Sequence, residues 1–102
     1  ILSSGCASIP QPSGLYDIEL VPLNHNETRH IKYNKSSGEA WWSSNTTWKK
    51  IEEEGAITKS IYEIKVVSTG KSWRAIRIDT VSGKTWKNSK GRWVAFKVAG
   101  TK

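Results

Sequence analysis

The sequence predicts an all-β fold, and three observations carry that expectation. Short segments alternate apolar and polar residues, as in "YEIKV" (62–66) and "AIRID" (75–79), which is the period of a half-buried strand. Gly, Ser, Asn and Asp cluster between these segments, where chain reversals need them. The chain also repeats itself: "LYDIELV" (15–21) aligns with "IYEIKVV" (61–67), and "HIKYNKSSGEAW" (30–41) with "AIRIDTVSGKTW" (75–86). A repeat of this length governs the whole fold, because each unit must stack on its neighbour to bury a face.

Carried further at the same offset, the alignment sets Trp48 on Trp93 and Ile51 on Phe96. Two units of about 45 residues, 15–54 and 61–98, then form a single β domain. Residues 1–14, with Pro10, Pro12, Ser13 and Gly14, read as an arm or tether. Each unit is expected to be an antiparallel meander of four short strands. Its first two strands lead into "NKSSGE" or "DTVSGK". Asn34 and Asp79 open these turns, where a short side-chain oxygen accepts a backbone N–H two residues on. That role assigns Asp79 to the turn rather than to catalysis or a metal. A second reversal falls at "SSNTT" and "NSKGR", each returning into a tryptophan strand. "WKKIEEEG" has an alternative as a helical turn ended by Gly55, but its repeat partner "WVAFKV" is strand-like and the repeat is followed. Two such meanders can make an eight-stranded sandwich, a barrel, or two propeller-like blades.

Side chains alternate between the faces of a strand, so parity sorts the six tryptophans. Trp41 and Trp86 are repeat-equivalent, as are Trp48 and Trp93, and these four are expected in the core. Trp42 has Lys87 as its counterpart and points away from Trp41. With Ile76 and Ile78 taken as the apolar face of their strand, Trp73, Ala75, Arg77 and Asp79 fall on the polar one. Trp42 and Trp73 are therefore expected at the surface, with Arg74, Arg77, Lys87 and Arg92 as accompanying binding or interface candidates. Two readings of the pair stay open: stacking platforms for a ligand, or rings covered by the arm or a neighbouring subunit.

With 16 Lys and Arg against nine Asp and Glu, the chain carries +7. The charge is uneven: residues 1–54 sum to −2 and residues 55–102 to +9. One half is thus suited to an anion, or to the acidic half of another copy. Chemistry that needs a constellation is missing its parts. His25 and His30 lie in or beside the polar loop "NHNETRH" with no nucleophile motif nearby. One Cys and two scattered His do not make a zinc set, and no glycine loop cradles a phosphate. The run Glu52–Glu54 reads as a solvated turn between the units. No catalytic, cofactor or metal residues are assigned.

Cys6 has no disulfide partner within the chain. Its setting, "ILSSGCA", resembles the end of a bacterial lipoprotein signal peptide, with the leucine one position further from the cysteine than usual. The resemblance implies lipidation at Cys6 and, through that lipid alone, a membrane attachment. Asn26, Asn34 and Asn45 each open an N-glycosylation sequon. "IRIDTVSGKTWKNSKGRWVAF" resembles a β-meander of bacterial secreted proteins, an I-D-T-x-[ST]-G-K-x-W hairpin followed by a G-[KR]-W strand. Residues 30–51 follow it more loosely, with Asn34-Lys35 for Asp-Thr and Thr46-Thr47 for the late Gly-Arg. In layout the chain is similar to small lectins in which two-blade chains trimerise into a six-bladed propeller; their sugar motif is not cleanly present.

Three functional expectations follow. The first is a non-catalytic extracytoplasmic module that assembles head-to-tail with itself, or docks on a larger envelope or virion structure, because a meander leaves strand edges to be covered. The second is a glycan-binding module stacking sugars on Trp42 and Trp73. The third, nucleic-acid binding by Trp73, Arg74, Arg77, Lys84, Lys87, Lys90 and Arg92, ranks last, since no recognition signature accompanies the basic residues.

Overall fold

A computed structural model of the chain describes residues 14–100; the arm up to Ser13 and Cys6 lie outside the described residues. The fold is all-β. The first unit contains β1 (Tyr16–Pro22), β2 (Thr28–Asn34), β3 (Ala40–Ser44) and β4 (Thr47–Lys50). The second contains β5 (Tyr62–Ser68), β6 (Trp73–Asp79), β7 (Thr85–Ser89) and β8 (Arg92–Ala95). Each set of four forms its own antiparallel sheet in simple meander order. The sheets do not close into a barrel.

The register of the two sheets is the same. Tyr16 pairs with Asn34 and Tyr62 with Asp79; Lys32 pairs with Trp41 and Arg77 with Trp86; Ser43 pairs with Trp48 and Asn88 with Trp93. The turns match too. The side-chain oxygen of Asn34 accepts the N–H of Ser36 at 2.8 Å and that of Ser37 at 2.9 Å. Asp79 accepts those of Val81 and Ser82 at 3.0 and 3.1 Å, so the turn role expected for both residues holds. The second reversal of unit two places Lys90 and Gly91 at φ 54° and 79°, the paired left-handed conformation whose twist suits a two-residue hairpin. Unit one has Asn45 at the equivalent place, φ 57°, where a short polar side chain tolerates that region best.

The side of each sheet bearing Ile31 or Ile76 is here termed its front, and the side bearing Lys32 or Arg77 its back. The front of sheet one packs on the back of sheet two. The shared core joins Tyr33, Ala40 and Ile51 of the first unit to Ile64, Ala75 and Trp93 of the second, with Trp42, Val66, Trp73 and Trp86 packed around it. Both margins of the sheets are tied. Along one, the Asn24 N–H donates to Gly70 O at 2.7 Å and the Tyr62 N–H to Lys35 O at 2.8 Å. Along the other, the chain leaving β4 bridges Glu52 to Arg92 in parallel fashion, with the Glu52 N–H on Gly91 O and the Trp93 N–H on Glu52 O.

This front-to-back packing corrects two expectations. Trp73, Ala75, Arg77 and Asp79 do share a face, but in sheet two it is the buried one: Ala75, Arg77 and Asp79 are interior and Ile76 is exposed. Repeated tryptophans are also not equally core. Trp93 is fully buried and Trp86 partly so, whereas Trp41 is half-buried and Trp48 exposed. Parity assigns residues to faces, while the neighbour decides which face is covered, and equivalent faces of the two units have different neighbours.

The turn at Asp79 makes the fold acid-sensitive. The Ser60 hydroxyl above all, then the N–H groups of Ser82 and Val81, hold its carboxyl down to about 2. A carboxylate lowered in the folded state contributes stability that is complete above its unfolded value, about 3.9, and is lost as pH falls through the folded one. Urea midpoints measured from about pH 5 to 2 should therefore fall less steeply for Asp79→Asn than for the native chain, in the window of about pH 4 to 2. The Asn retains the turn, as Asn34 does in unit one.

Candidate functional site

The back of sheet two is organised by Arg77. Its guanidinium carbon lies 4.2 Å from the Trp86 ring centroid, 4.8 Å from that of Trp93 and 5.6 Å from that of Tyr62. Such distances place a cation against the negative π faces of three rings. Glu53 receives a two-pronged pair, Nη1 to Oε2 at 2.7 Å and Nη2 to Oε1 at 3.0 Å, and Nη1 also donates to Gly38 O at 2.9 Å. Arg77 is 0% exposed. A charge buried to that degree needs a matched counter-charge and hydrogen-bond acceptors; sheet one with its exit segment supplies them to both Nη groups, while Nε has no partner among the described residues. Gly38, at φ 82°, fits closely: a Cβ there would meet the Tyr62 ring at 3.1 Å and Ile57 Cδ1 at 3.2 Å.

Unit one carries the same box open to solvent. Lys32 Nζ stands 5.1 Å from the Trp41 ring and 4.8 Å from that of Trp48. Tyr16 leans on Trp41 at 6.3 Å, as Tyr62 leans on Trp86 at 6.2 Å. Nothing in the chain covers it among the described residues: Tyr16 is 55% exposed against 1% for Tyr62, and Trp48 38% against 0% for Trp93. Ile18 and Leu20 extend this exposed apolar back face.

The front of sheet two is the complementary case. Ile76, Val67 and Phe96 occupy the places of Ile31, Val21 and Ile51; the second set is buried, yet Phe96 is 50% exposed. A groove of about 570 Å3 runs there, lined by Ile76, Gly83, Thr85, Phe96 and Val98 among others. These are the counterparts of Ile31, Gly38, Ala40, Ile51 and Glu53; of that set Gly38 and Glu53 meet Tyr62 and Arg77, and Ala40 and Ile51 join the core shared with sheet two. The backbone agrees: Phe96 N–H to Thr85 O and Ile51 N–H to Ala40 O are both 2.9 Å.

The six residues singled out from the sequence divide three ways. Arg77 is the buried hub. Arg74, Lys87 and Arg92 are exposed on the front of sheet two. Trp42 and Trp73, expected at the surface, are half-buried and meet in one cleft of about 350 Å3 between the sheets, lined also by Ser72, Asn88, Lys90 and Gly91. Arg29 and Lys49 hold their cationic groups 5.6 and 5.8 Å from the Trp42 ring. With Arg77 interior and Arg74 on the opposite side of β6 from Trp73, the basic and aromatic residues do not make one continuous track. Of the sequon asparagines, Asn26 and Asn45 are exposed, while the Asn34 oxygen is engaged in its turn.

Two contacts escaped the sequence reading. Glu53, placed in a solvated acidic run, is the counter-ion of Arg77. The signal was the alignment of Lys32 with Arg77 ahead of the repeated tryptophans, a basic residue held at one place in each unit. His30 Nδ1 lies 2.9 Å from Ser43 Oγ, which also accepts the His30 N–H at 3.0 Å. Ser43 is 6% exposed, and the pair acts as a clamp between β2 and β3. Among the described residues no group of His, Cys, Asp and Glu is arranged to hold a metal ion.

Removing one partner of a buried pair strands the other. Arg77→Met should cost about 3–5 kcal/mol in urea unfolding, and Glu53→Gln on that background should recover part of it. Arg77→Lys, which puts unit one's own residue in the box, should fall between because it loses the two-pronged pair. Comparison with protein-family models, with curated proteins and with solved structures finds no match for this chain.

Proposed function

We propose that the chain is a non-catalytic assembly module that stacks head-to-tail, the exposed front of sheet two of one copy covering the exposed back of sheet one of the next. One observation carries this reading: the contact already exists once, inside the chain. The groove at Ile76, Gly83 and Phe96 is the equivalent of the surface that covers Tyr62. The uncovered Tyr16, Lys32, Trp41 and Trp48 are the equivalents of the residues it covers. Such a contact joins two different faces, so it closes into a ring of blades or runs on as a filament. An extracytoplasmic setting, on an envelope or virion surface, is the context in which a lipid at Cys6 and such a lattice would serve together.

Charge is not what seats the contact. The back of sheet one presents Lys32 and Lys50, with Glu39 already paired to Lys50 at 2.8 Å, and the front of sheet two presents Arg74, Lys87 and Arg92. The acidic residue that matters within the chain, Glu53, has Val98 as its counterpart. The seam between copies is therefore held by its apolar residues, carries like charges at its margins and lacks the buried ion pair.

Point variants on exposed residues test this without disturbing either core. Ile76→Glu blocks the front and Tyr16→Glu the back, and each alone should give a folded monomer by light scattering. Mixed in equal amounts they should form a 1:1 dimer, since each retains the face the other lacks. Val98→Glu, which restores a carboxylate opposite Lys32 of the next copy, should tighten association about tenfold, or about 1.4 kcal/mol. Variants that associate like the native chain, or that stay monomeric when mixed, contradict the proposal.

A further inference from the structure

The two tryptophans that the repeat does not require line the same cleft. Trp42 and Trp73 have Lys87 and Thr28 as their counterparts in the other unit, so a cleft of the same design between copies would lack both indoles. The cleft inside the chain also carries one buried polar atom without a partner among the described residues. Asn88 lines it, and its side-chain oxygen is buried with no hydrogen-bond partner among the described residues. A buried acceptor left unpaired is unfavourable, and a bound donor would relieve it. Lys90 lines it from a left-handed position, φ 54°, where Asn45 stands in unit one. Three cationic side chains stand by the cleft: Lys90 in its lining, and Arg29 and Lys49 against the Trp42 ring.

We infer that this cleft is a binding site for an acidic saccharide, one per chain, and that it is separate from the stacking faces. A pyranose ring has apolar C–H faces to lie on the indoles and a rim of hydroxyls, one of which donates to the Asn88 oxygen. A carboxylate on that ring answers the cations. The volume, about 350 Å3, lies at the small end of ligand sites, which suits one or two sugar rings. A nucleic acid strand would require a row of aromatic platforms along a basic groove, and the cleft offers a single pair.

The test is isothermal titration of the full chain with a galacturonate trimer and with the corresponding galactose trimer, alongside the NMR shifts of the indole N–H groups. One site per chain is expected for the acidic trimer, with the neutral trimer about tenfold weaker or more. Lys90→Asn installs the residue that unit one uses in this turn, so it keeps the fold while removing a cation. It should weaken the acidic trimer about tenfold and leave the neutral one unchanged. Trp73→Thr, again unit one's own residue, should abolish binding of both, with unfolding midpoints reporting that the sheet persists. The inference is overturned if neither trimer gives heat or shifts at about 10 mM, if the two trimers bind alike, or if Lys90→Asn has no effect. It is equally overturned if a thymidine decamer binds more tightly than the acidic trimer with a steep loss in salt. Association of the chain with itself is read separately, so failure here does not bear on the stacking.

Discussion

A planar cation held between indole rings, out of reach of water, is the constraint on which this small fold depends. Arg77 cannot be interior without Glu53, and Glu53 reaches it only because the chain leaving β4 crosses to the edge of β8 before starting the second unit. The same packing fixes Gly38 against Tyr62, which positions the turn of sheet one over the back of sheet two. Buried ion pairs are weak contributors to net stability but costly to break, and they penalise wrong arrangements. Here the pair specifies which face of one sheet meets which face of the next.

That specification explains why two units of equal register have unequal surroundings. Repetition supplies each sheet with a back that wants a cover and a front that can be one. Two units in a row satisfy one such contact and leave one of each face over. The exposed Tyr16, Ile18, Leu20 and Trp48 at one end, and Val67, Ile76 and Phe96 at the other, are on the proposed function the unspent halves of the same interaction. Large apolar residues grouped in this way mark interaction surfaces rather than ordinary scatter.

Much of the architecture was legible from local rules. The alternation in β5 and β6, the Asx turns at Asn34 and Asp79, and the offset of 45 residues that aligns the tryptophans together define two four-stranded meanders. Which face each sheet buries was not legible. Ile76 and Ile78 pointed to one side, and the core formed on the other, because sheet one covers the face of Arg77 and brings it a carboxylate from outside its own sheet. That carboxylate comes from a connection with no periodicity to announce its role. The meeting of Trp42 with Trp73 was equally hidden: parity set each on a face, but only the stacking of front on back brings those two faces together.

On the proposed function, front-to-back stacking is a rule the chain applies to copies of itself as well as to its own halves. Light scattering of the unaltered chain across a range of concentration and salt tests it most directly. The mass should rise with concentration and hold or increase with salt, since both seam faces are basic and screening favours their approach. A monomer at every concentration, or an oligomer that falls apart as salt is raised, would contradict it.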